Sequence, residues 1–97
     1  MKASELRKIA LEKQEERFWD NYNMLIHYLN EYIEFAAGCG STYVKLVSAC
    51  WDRGTFLFDN HTFPINFYTY KEMKRYYKER GFKVRWTLIG DNIEISW

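Results

Sequence analysis

Two cysteines and two histidines are the side chains of this chain that could hold a metal ion. Cys39, Cys50 and His61, with His27 as a fourth ligand, would offer the sulfur and nitrogen atoms that Zn²⁺ prefers. Zinc sites usually contain short paired spacings, because one turn must present two ligands to a tetrahedral ion. Here ten residues separate Cys39 from Cys50 and Cys50 from His61. We therefore expect no metal site, with Cys50 as a small buried side chain and His61 as a polar turn residue.

Nucleophilic catalysis would need Cys39 or Ser41 beside a histidine and an orienting acid. The run from Gly38 to Ser41 could present backbone N–H groups, but it follows a predicted helix C-terminus, where the helix dipole disfavours an anion. A glycine-rich helix stop explains this run without catalysis. The chain also contains no P-loop, dinucleotide fingerprint or paired-histidine motif. We expect a protein that is not an enzyme and needs no cofactor.

A basic and aromatic segment near the carboxyl end could bind an anionic partner. Residues 71–86 carry seven Lys or Arg against two Glu, a net of +5, whereas residues 1–37 have a net of −2. The cations could contact nucleic-acid phosphates while aromatic rings stack on bases, or they could contact an acidic protein. Alternatively, Tyr70, Met73 and Tyr77 form a helix core stripe and the cations form an ordinary solvated face. The candidate contacts are Lys71, Lys74, Arg75, Lys78, Lys83 and Arg85, with Tyr76 as the aromatic residue expected near solvent.

The elements that hold this segment have the clearest signals in the chain. Residues Thr69 to Glu72 are typical of a capping box, which predicts that Thr69 caps a helix ending at Gly81. Apolar and polar residues then alternate over 82–88 and again over 93–97, with a turn at Gly90–Asn92 between the two strands. The predicted unit is therefore helix, strand, strand.

A long first helix is predicted from Ser4, as its N-cap, to the glycines at 38 and 40. Such a helix is about 50 Å long, whereas a compact domain of this size is about 33 Å across, so the helix must break or project. Asp20–Asn23 is the best site for a break, because Asp and Asn compete for their own backbone. We favour a projecting or hinged segment within residues 1–20, with a first turn packed under the same domain as the alternative. The apolar stripe of this helix is Trp19, Tyr22, Leu25, Ile26, Leu29, Tyr32, Ile33 and Ala36.

Apolar residues outside that stripe need another surface to cover them. At about 100° per residue, Leu6, Ile9 and Ala10 lie far around the helix from the stripe. We expect such residues to contact a partner protein or a second copy, so that the protein self-associates. The candidate contact residues are Leu6, Ile9, Ala10, Tyr28 and Phe35.

The middle of the chain predicts strands. Residues 41–51 are apolar on both faces, which is typical of a central strand. A hairpin loop at Asp52–Gly54 then leads to a returning strand at Thr55–Phe58, and residues 59–62 predict a second turn. Residues 63–68 predict an edge strand or an extended connection, because Pro64 disfavours a central strand.

Composition limits the class of protein. The 97 residues carry a net charge of +1, which favours neither nucleic acid nor membrane as a partner of the whole molecule. No stretch has the roughly 20 apolar residues of a membrane span, and the charged amino terminus does not resemble a signal peptide. The cysteines are therefore expected to be reduced thiols in a cytoplasm, with a disulfide as the alternative. Aromatic residues form 20% of the chain, more than a small core needs, so either some lie on a binding surface or the small protein is simply rich in aromatic residues.

Three short patterns resemble small accessory proteins encoded by bacteriophages. These are Gly-Ser-Thr-x-Val-x-Leu from Gly40 after a long helix, Gly-Phe-Lys-Val at 81–84, and the ending Ile-Glu-Ile-Ser-Trp. The resemblance covers residues 25–97, and its motifs are structural. It implies a phage product in the host cytoplasm that binds a host or phage protein, as inhibitors of host defence do. It carries no site residue over to this chain.

Together these patterns predict one α+β domain over residues 1–97. Two helices should pack on one face of a mostly antiparallel sheet of about four strands, in the order α-β-β-α-β-β. The function expected is protein interaction with self-association, and nucleic-acid binding is the alternative. Residues expected between helices and sheet are Leu25, Leu29, Ile33, Val44, Leu46, Tyr77, Phe82, Val84, Ile93 and Ile95.

Overall fold

The computed structural model describes residues 2–49, 54–87 and 90–97. These residues form two helices and one five-stranded sheet, so the predicted α+β class is confirmed with one strand more than expected. The sheet is antiparallel, with strand order β3-β2-β1-β5-β4. The elements are α1 (Ala3–Gly38), β1 (Tyr43–Ser48), β2 (Thr55–Phe58), β3 (His61–Pro64), α2 (Phe67–Glu79), β4 (Lys83–Thr87) and β5 (Asn92–Ser96).

Helix α1 is continuous over 36 residues. Of the two outcomes considered for this length, a break at Asp20–Asn23 or a projection, the break does not occur. Tyr22 lies in this segment and is buried, and its hydroxyl donates a hydrogen bond to the Glu72 carbonyl at 3.2 Å. Tertiary packing therefore overrides the weak local preference of Asp and Asn for non-helical backbone. The predicted N-cap at Ser4 is wrong, since the helix begins at Ala3. At 1.5 Å per residue the helix is about 54 Å long, and it accounts for the 58 Å long axis of the molecule.

Both helices end in the same hydrogen-bond pattern. At the end of α2, Gly81 has φ +89°, its N–H donates to Lys78, and the Phe82 N–H donates to Tyr77. Gly40, with φ +90°, and Ser41 make the equivalent bonds after α1. This is the Schellman arrangement, in which a residue with positive φ lets the chain reverse and satisfy the last carbonyls. The prediction that Gly81 ends α2 is confirmed.

Helix α2 begins earlier than predicted. Its N-cap is Asn66, whose Oδ1 accepts hydrogen bonds from the Thr69 backbone N–H at 2.8 Å and from the Thr69 hydroxyl at 2.9 Å. The predicted capping box at Thr69–Glu72 is therefore wrong. Asn and Thr are both good cap formers, and Asn66 is chosen because Ile65 beside it is buried while Thr69 and Tyr70 pack inward as part of the first turns.

The additional strand is β3, which pairs with β2 at one edge of the sheet. This confirms the edge-strand interpretation of Pro64, although His61 and Thr62 belong to the strand and not to the turn. The turn is Asp59–Asn60, and both residues have positive φ, as a two-residue hairpin turn of type I′ requires. Gly54, with φ +85°, has the left-handed conformation predicted for the first hairpin. The other predictions for residues 50–53 and 88–89 lie outside the described residues.

One face of the sheet carries the core. Strand β1 is central, as predicted, and its Val44 and Leu46 are buried, but Tyr43, Lys45 and Val47 on its other face are exposed. The expectation of two buried faces is therefore wrong, because both helices pack on the same side. All ten residues expected between helices and sheet lie in this core or pack against it. The buried cluster is Tyr22, Leu25, Ile26, Leu29, Ile33, Val44, Leu46, Phe56, Phe58, Ile65, Tyr70, Met73, Tyr77, Ile93 and Ile95.

Asn30 joins the two helices through hydrogen bonds at the edge of this core. The Tyr77 hydroxyl donates to Asn30 Oδ1 at 2.8 Å, and Asn30 Nδ2 donates to the Tyr76 hydroxyl at 3.2 Å. Burial is the main cause that raises the pKa of the Tyr77 phenol well above its usual value, and the neighbouring tyrosines add to it. Tyr77 therefore stays protonated and remains a donor. Tyr76 is half-buried, not near solvent as expected.

Candidate interaction surfaces

The described residues considered for metal binding make separate contacts. His27 contacts Glu31 on the same helix at 3.2 Å, whereas the His61 ring stacks on Tyr28 with 4.2 Å between centroids. Cys39 is exposed at the end of α1, and Cys50 lies outside the described residues. Across residues 2–49, 54–87 and 90–97, no three His, Cys, Asp or Glu side chains are grouped so that they could hold a metal ion.

A cavity of about 420 Å³ lies between α1, the β2–β3 hairpin and the start of α2. Its α1 wall is formed by Phe18, Asn21, Tyr22 and Leu25. The other side is lined by Gly54, Thr55, Phe63, Pro64, Ile65, Asn66 and Thr69. Its described lining contains no Asp, Glu, His, Cys, Lys or Arg side chain. The Asn66 and Thr69 side chains in this lining are used in capping α2. The cavity could therefore hold a small molecule by its shape, but its described lining supplies no side chain for acid–base catalysis.

The amino-terminal half of α1 projects from the rest of the molecule. We call residues 2–17 the arm, and the sheet, α2 and residues 18–38 the body. Every residue of the arm is exposed, and within the described chain its side-chain bonds are local, such as the Lys13–Glu16 ion pair at 3.2 Å. The arm also carries large apolar side chains that nothing covers, with Leu6 at 50%, Ile9 at 56% and Leu11 at 58% exposure. This combination is typical of a surface that another molecule covers.

The five predicted contact residues fall into three groups. Leu6, Ile9 and Ala10 lie on the arm and are exposed, as their predicted role requires. Phe35 is 67% exposed near the opposite end of α1. Tyr28 is half-buried, because its ring stacks on His61 and also contacts Phe63 in β3. Tyr28 therefore holds the β3 edge to α1, and the structure does not bring it together with the arm residues.

An aromatic patch lies where the arm meets the body. The Phe18 ring contacts the ring of its neighbour Trp19 in α1, with 5.1 Å between centroids. It also contacts the Tyr68 ring of α2, with 5.0 Å between centroids. Trp19 is 39% exposed and Tyr68 is 56% exposed, so the patch is open to solvent on one side. Sequence reasoning missed this patch, because Trp19 was assigned to the core stripe and residues 63–68 to an edge strand or connection. Its available signal was the seven-residue spacing of Leu11, Phe18 and Leu25.

The solvent side of α2 is basic. Lys71, Lys74 and Lys78 lie on one exposed stripe, and Phe67, 70% exposed, lies at its start. Between α2 and the edge strand β4 is a groove of about 210 Å³, lined by Lys74, Lys78, Phe82, Lys83 and Val84. The groove brings Lys74 and Lys78 close to Lys83, which lies at the edge of the sheet and also borders its open face beside Arg85. We call Lys71, Lys74, Lys78 and Lys83 the lysine face.

The other predicted basic residues are engaged elsewhere. Arg75 bonds to Glu72 at 3.1 Å on α2. Arg85 lies on the opposite, exposed face of the sheet, directly across from Glu94, which in turn lies across from Lys45. Opposite charges across strands stabilise a sheet modestly, and charged residues on the edge strand discourage pairing with other sheets. The predicted Tyr76 contact is also occupied, since Arg80 stacks on its ring at 3.6 Å.

Neither helix in the described part of the chain combines the length and apolar character needed to span a membrane. Comparison with known proteins adds no functional assignment. No protein-family model, curated protein or solved structure was found to match this chain.

Proposed function

We propose that this is a non-enzymatic interaction protein that presents its arm to partner proteins, a second copy among them. The observation that supports this proposal is the continuous helix that leaves the body with half-exposed Leu6, Ile9 and Leu11. A helix as short as the arm would be marginal in water if it were isolated, since tertiary packing normally supplies most helical stability. The arm is held helical by the packed remainder of α1, so it is ordered before a partner arrives. Such preorganisation lowers the entropic cost of binding.

The resemblance noted in the sequence extends this proposal. As a bacteriophage accessory factor, the protein would act in the host cytoplasm and bind a host or phage protein, such as a component of host defence. The three patterns that support this origin lie in structural positions of the body: the α1 stop with strand β1, the α2 stop with β4, and strand β5. The arm is therefore the part left for recognition.

The arm's role is testable by affinity purification. The full chain, tagged at its carboxyl end, is used to capture proteins from a bacterial lysate, beside a Leu6→Glu/Ile9→Glu variant. Because both side chains are exposed, the variant should fold with unchanged helix content but lose specific partners at least roughly tenfold, as expected for loss of apolar contacts at an interface. Lys45→Glu, on the open face of the sheet, is the control and should retain them. Identical captured proteins from all three chains would contradict the proposal.

The lysine face favours nucleic acid as the second candidate function. Three of its lysines, Lys74, Lys78 and Lys83, line one groove, and no described Glu or Asp lines that groove. Phosphate binding by these cations would weaken steeply with salt. Fluorescence anisotropy with single- and double-stranded oligonucleotides tests it: a Lys74→Glu/Lys78→Glu variant should lose binding, whereas Lys45→Glu should not. Binding absent at low salt would remove this function.

A further inference from the structure

One stripe of α1 continues from the core of the body on to the arm. Ser4, Leu11, Phe18 and Leu25 are seven residues apart, close to two helical turns, so they lie above one another on the same side of the helix. Along this stripe exposure rises from Leu25 at 1%, through half-buried Phe18, to Leu11 at 58%. The side of the helix that packs on the sheet within the body is therefore uncovered on the arm.

Charges on both sides of Leu11 indicate what covers it. Arg7 and Lys8 precede Leu11 by one turn, and Gln14 and Glu15 follow it by one turn. An antiparallel second helix, related by a two-fold axis at Leu11, places Lys8 beside Glu15 of the second copy, twice. A parallel second copy would instead place Lys8 beside a like-charged Arg7. The stripe is thus complementary to itself in the antiparallel direction only.

The charge distribution of the arm as a whole agrees with this direction. Residues 2–8 contain three cations and one carboxylate, a net of +2, whereas residues 12–20 contain two cations and four carboxylates, a net of −2. A positive net charge at a helix N-terminus opposes the helix dipole, so this order does not serve the isolated helix. In an antiparallel pair each positive tip lies beside the negative segment of the other copy.

We propose that two copies of this chain pair through their arms, antiparallel, with Leu11 against Leu11 at the two-fold axis. The proposal names the partner of the Leu11 side of the arm, leaves Leu6 and Ile9 on the far side open to other proteins, and rests on the function proposed above. In this pair Ser4 reaches the level of Phe18 of the second copy, so each tip covers the other's aromatic patch. The overlap of residues 2–20 is about 28 Å long, a contact at the small end of the roughly 1,200–2,000 Å² of stable interfaces. The dimer is therefore weak and reversible.

Sedimentation velocity between about 5 and 500 µM tests the pairing, because a weak dimer has a micromolar dissociation constant. The wild type should dimerise as concentration rises, and less so at high salt. Lys8→Glu and Glu15→Lys should each weaken dimerisation at least roughly tenfold, since each places like charges together. An equimolar mixture of these two variants should form a heterodimer, because opposite charges then meet at both contacts.

Two controls separate this geometry from a general effect on the arm. Lys13→Glu makes the same charge change as Lys8→Glu, but two residues beyond Leu11 and therefore on the far side of the helix. It should leave dimerisation within about twofold of wild type. Leu11→Gln should weaken the dimer, whereas Ile9→Gln, also on the far side, should not. Circular dichroism checks that helix content is unchanged in all variants.

Three results would overturn the self-pairing: a monomer at every concentration, equal weakening by Lys8→Glu and Lys13→Glu, or no heterodimer in the mixture. A monomer that still captures a partner through Leu6 and Ile9 would leave the proposed interaction function in place and remove only the second copy as its partner. A concentration-dependent dimer that survives every arm substitution would place the contact elsewhere on the body.

Discussion

Leu46→Ala is expected to lower the free energy of unfolding by about 3–5 kcal/mol, whereas Val47→Ala, one residue along the same strand, should lower it by less than about 1 kcal/mol. Leu46 is fully buried on the helix-covered face of the central strand, between Ile93 of β5 and the β2 side of the core. Alanine there loses transfer free energy and leaves a cavity that a central strand cannot close. Val47 is 48% exposed on the other face.

Urea unfolding followed by circular dichroism measures this contrast. The midpoint should fall for Leu46→Ala without a change in slope, since both states keep their compactness. A loss of this size is a large part of the 5–15 kcal/mol free energy of unfolding that is typical of a small domain. The Leu46→Ala variant should therefore be only marginally folded at 37 °C. Equal losses for the two variants would contradict the single-core architecture and show that the open face of the sheet is also buried.

Stability should fall steeply at alkaline pH, and Tyr77→Phe should reduce that fall. The pKa of Tyr77 is raised by burial, and those of Tyr22 and Tyr70 are raised by the same main cause. The unfolded state therefore loses these protons first, near the ordinary tyrosine value of 10.0, while the folded state keeps them. With fewer protons bound in the unfolded state, the free energy of unfolding decreases as pH rises above that value, and the contribution is complete below it.

Urea midpoints between pH 7 and 11 test this dependence. Tyr77→Phe should cost roughly 1–2 kcal/mol at pH 7, because Asn30 Oδ1 loses the donor at 2.8 Å. The same variant should then lose less further stability between pH 9 and 11 than wild type. Tyr43→Phe removes the hydroxyl of a half-exposed ring and is the matched control. Parallel curves for wild type and Tyr77→Phe would show that the buried phenol does not control alkaline unfolding.

Local signals predicted those parts of the fold that depend on local physics. Gly81 could be identified as the end of α2, because few other residues adopt positive φ at low cost after a helix. The core-facing positions Val84, Ile93 and Ile95 followed from the period of two, which sets the faces of any strand. Leu25, Leu29 and Ile33 followed in the same way from the helical period.

The predictions that were wrong, or that left two outcomes open, share a different cause. Asn66 and Thr69 are both competent caps, and only the burial of Ile65 and Tyr70 decides between them. Asp20–Asn23 favours a break locally, but the buried Tyr22 keeps the segment helical. Strand β3 is short and contains Pro64, so its existence depends on pairing with β2. In each case two local outcomes are close in energy, and a tertiary contact selects one.

The candidate surfaces also divide into features that the sequence identified and features that depend on tertiary packing. Sequence identified Leu6 and Ile9 as apolar residues off the main stripe and the lysines of α2 as a basic cluster. It could not place Arg85 on the opposite side of the sheet from Lys74, nor separate Tyr28 from the arm, because those relations depend on which face the helices cover. The aromatic patch likewise exists only because α2 brings Tyr68 to Phe18.

By itself, therefore, the sequence determined the presence of two helices, the alternation of the strands, ten residues that face the core and the charge order of the arm, since each follows from spacing along the chain. The tertiary structure alone decided that α1 runs unbroken beyond the body, that one sheet face is open, and that Leu11 lies uncovered above Phe18. Those three features depend on the balance between burial and local preference across residues distant in sequence.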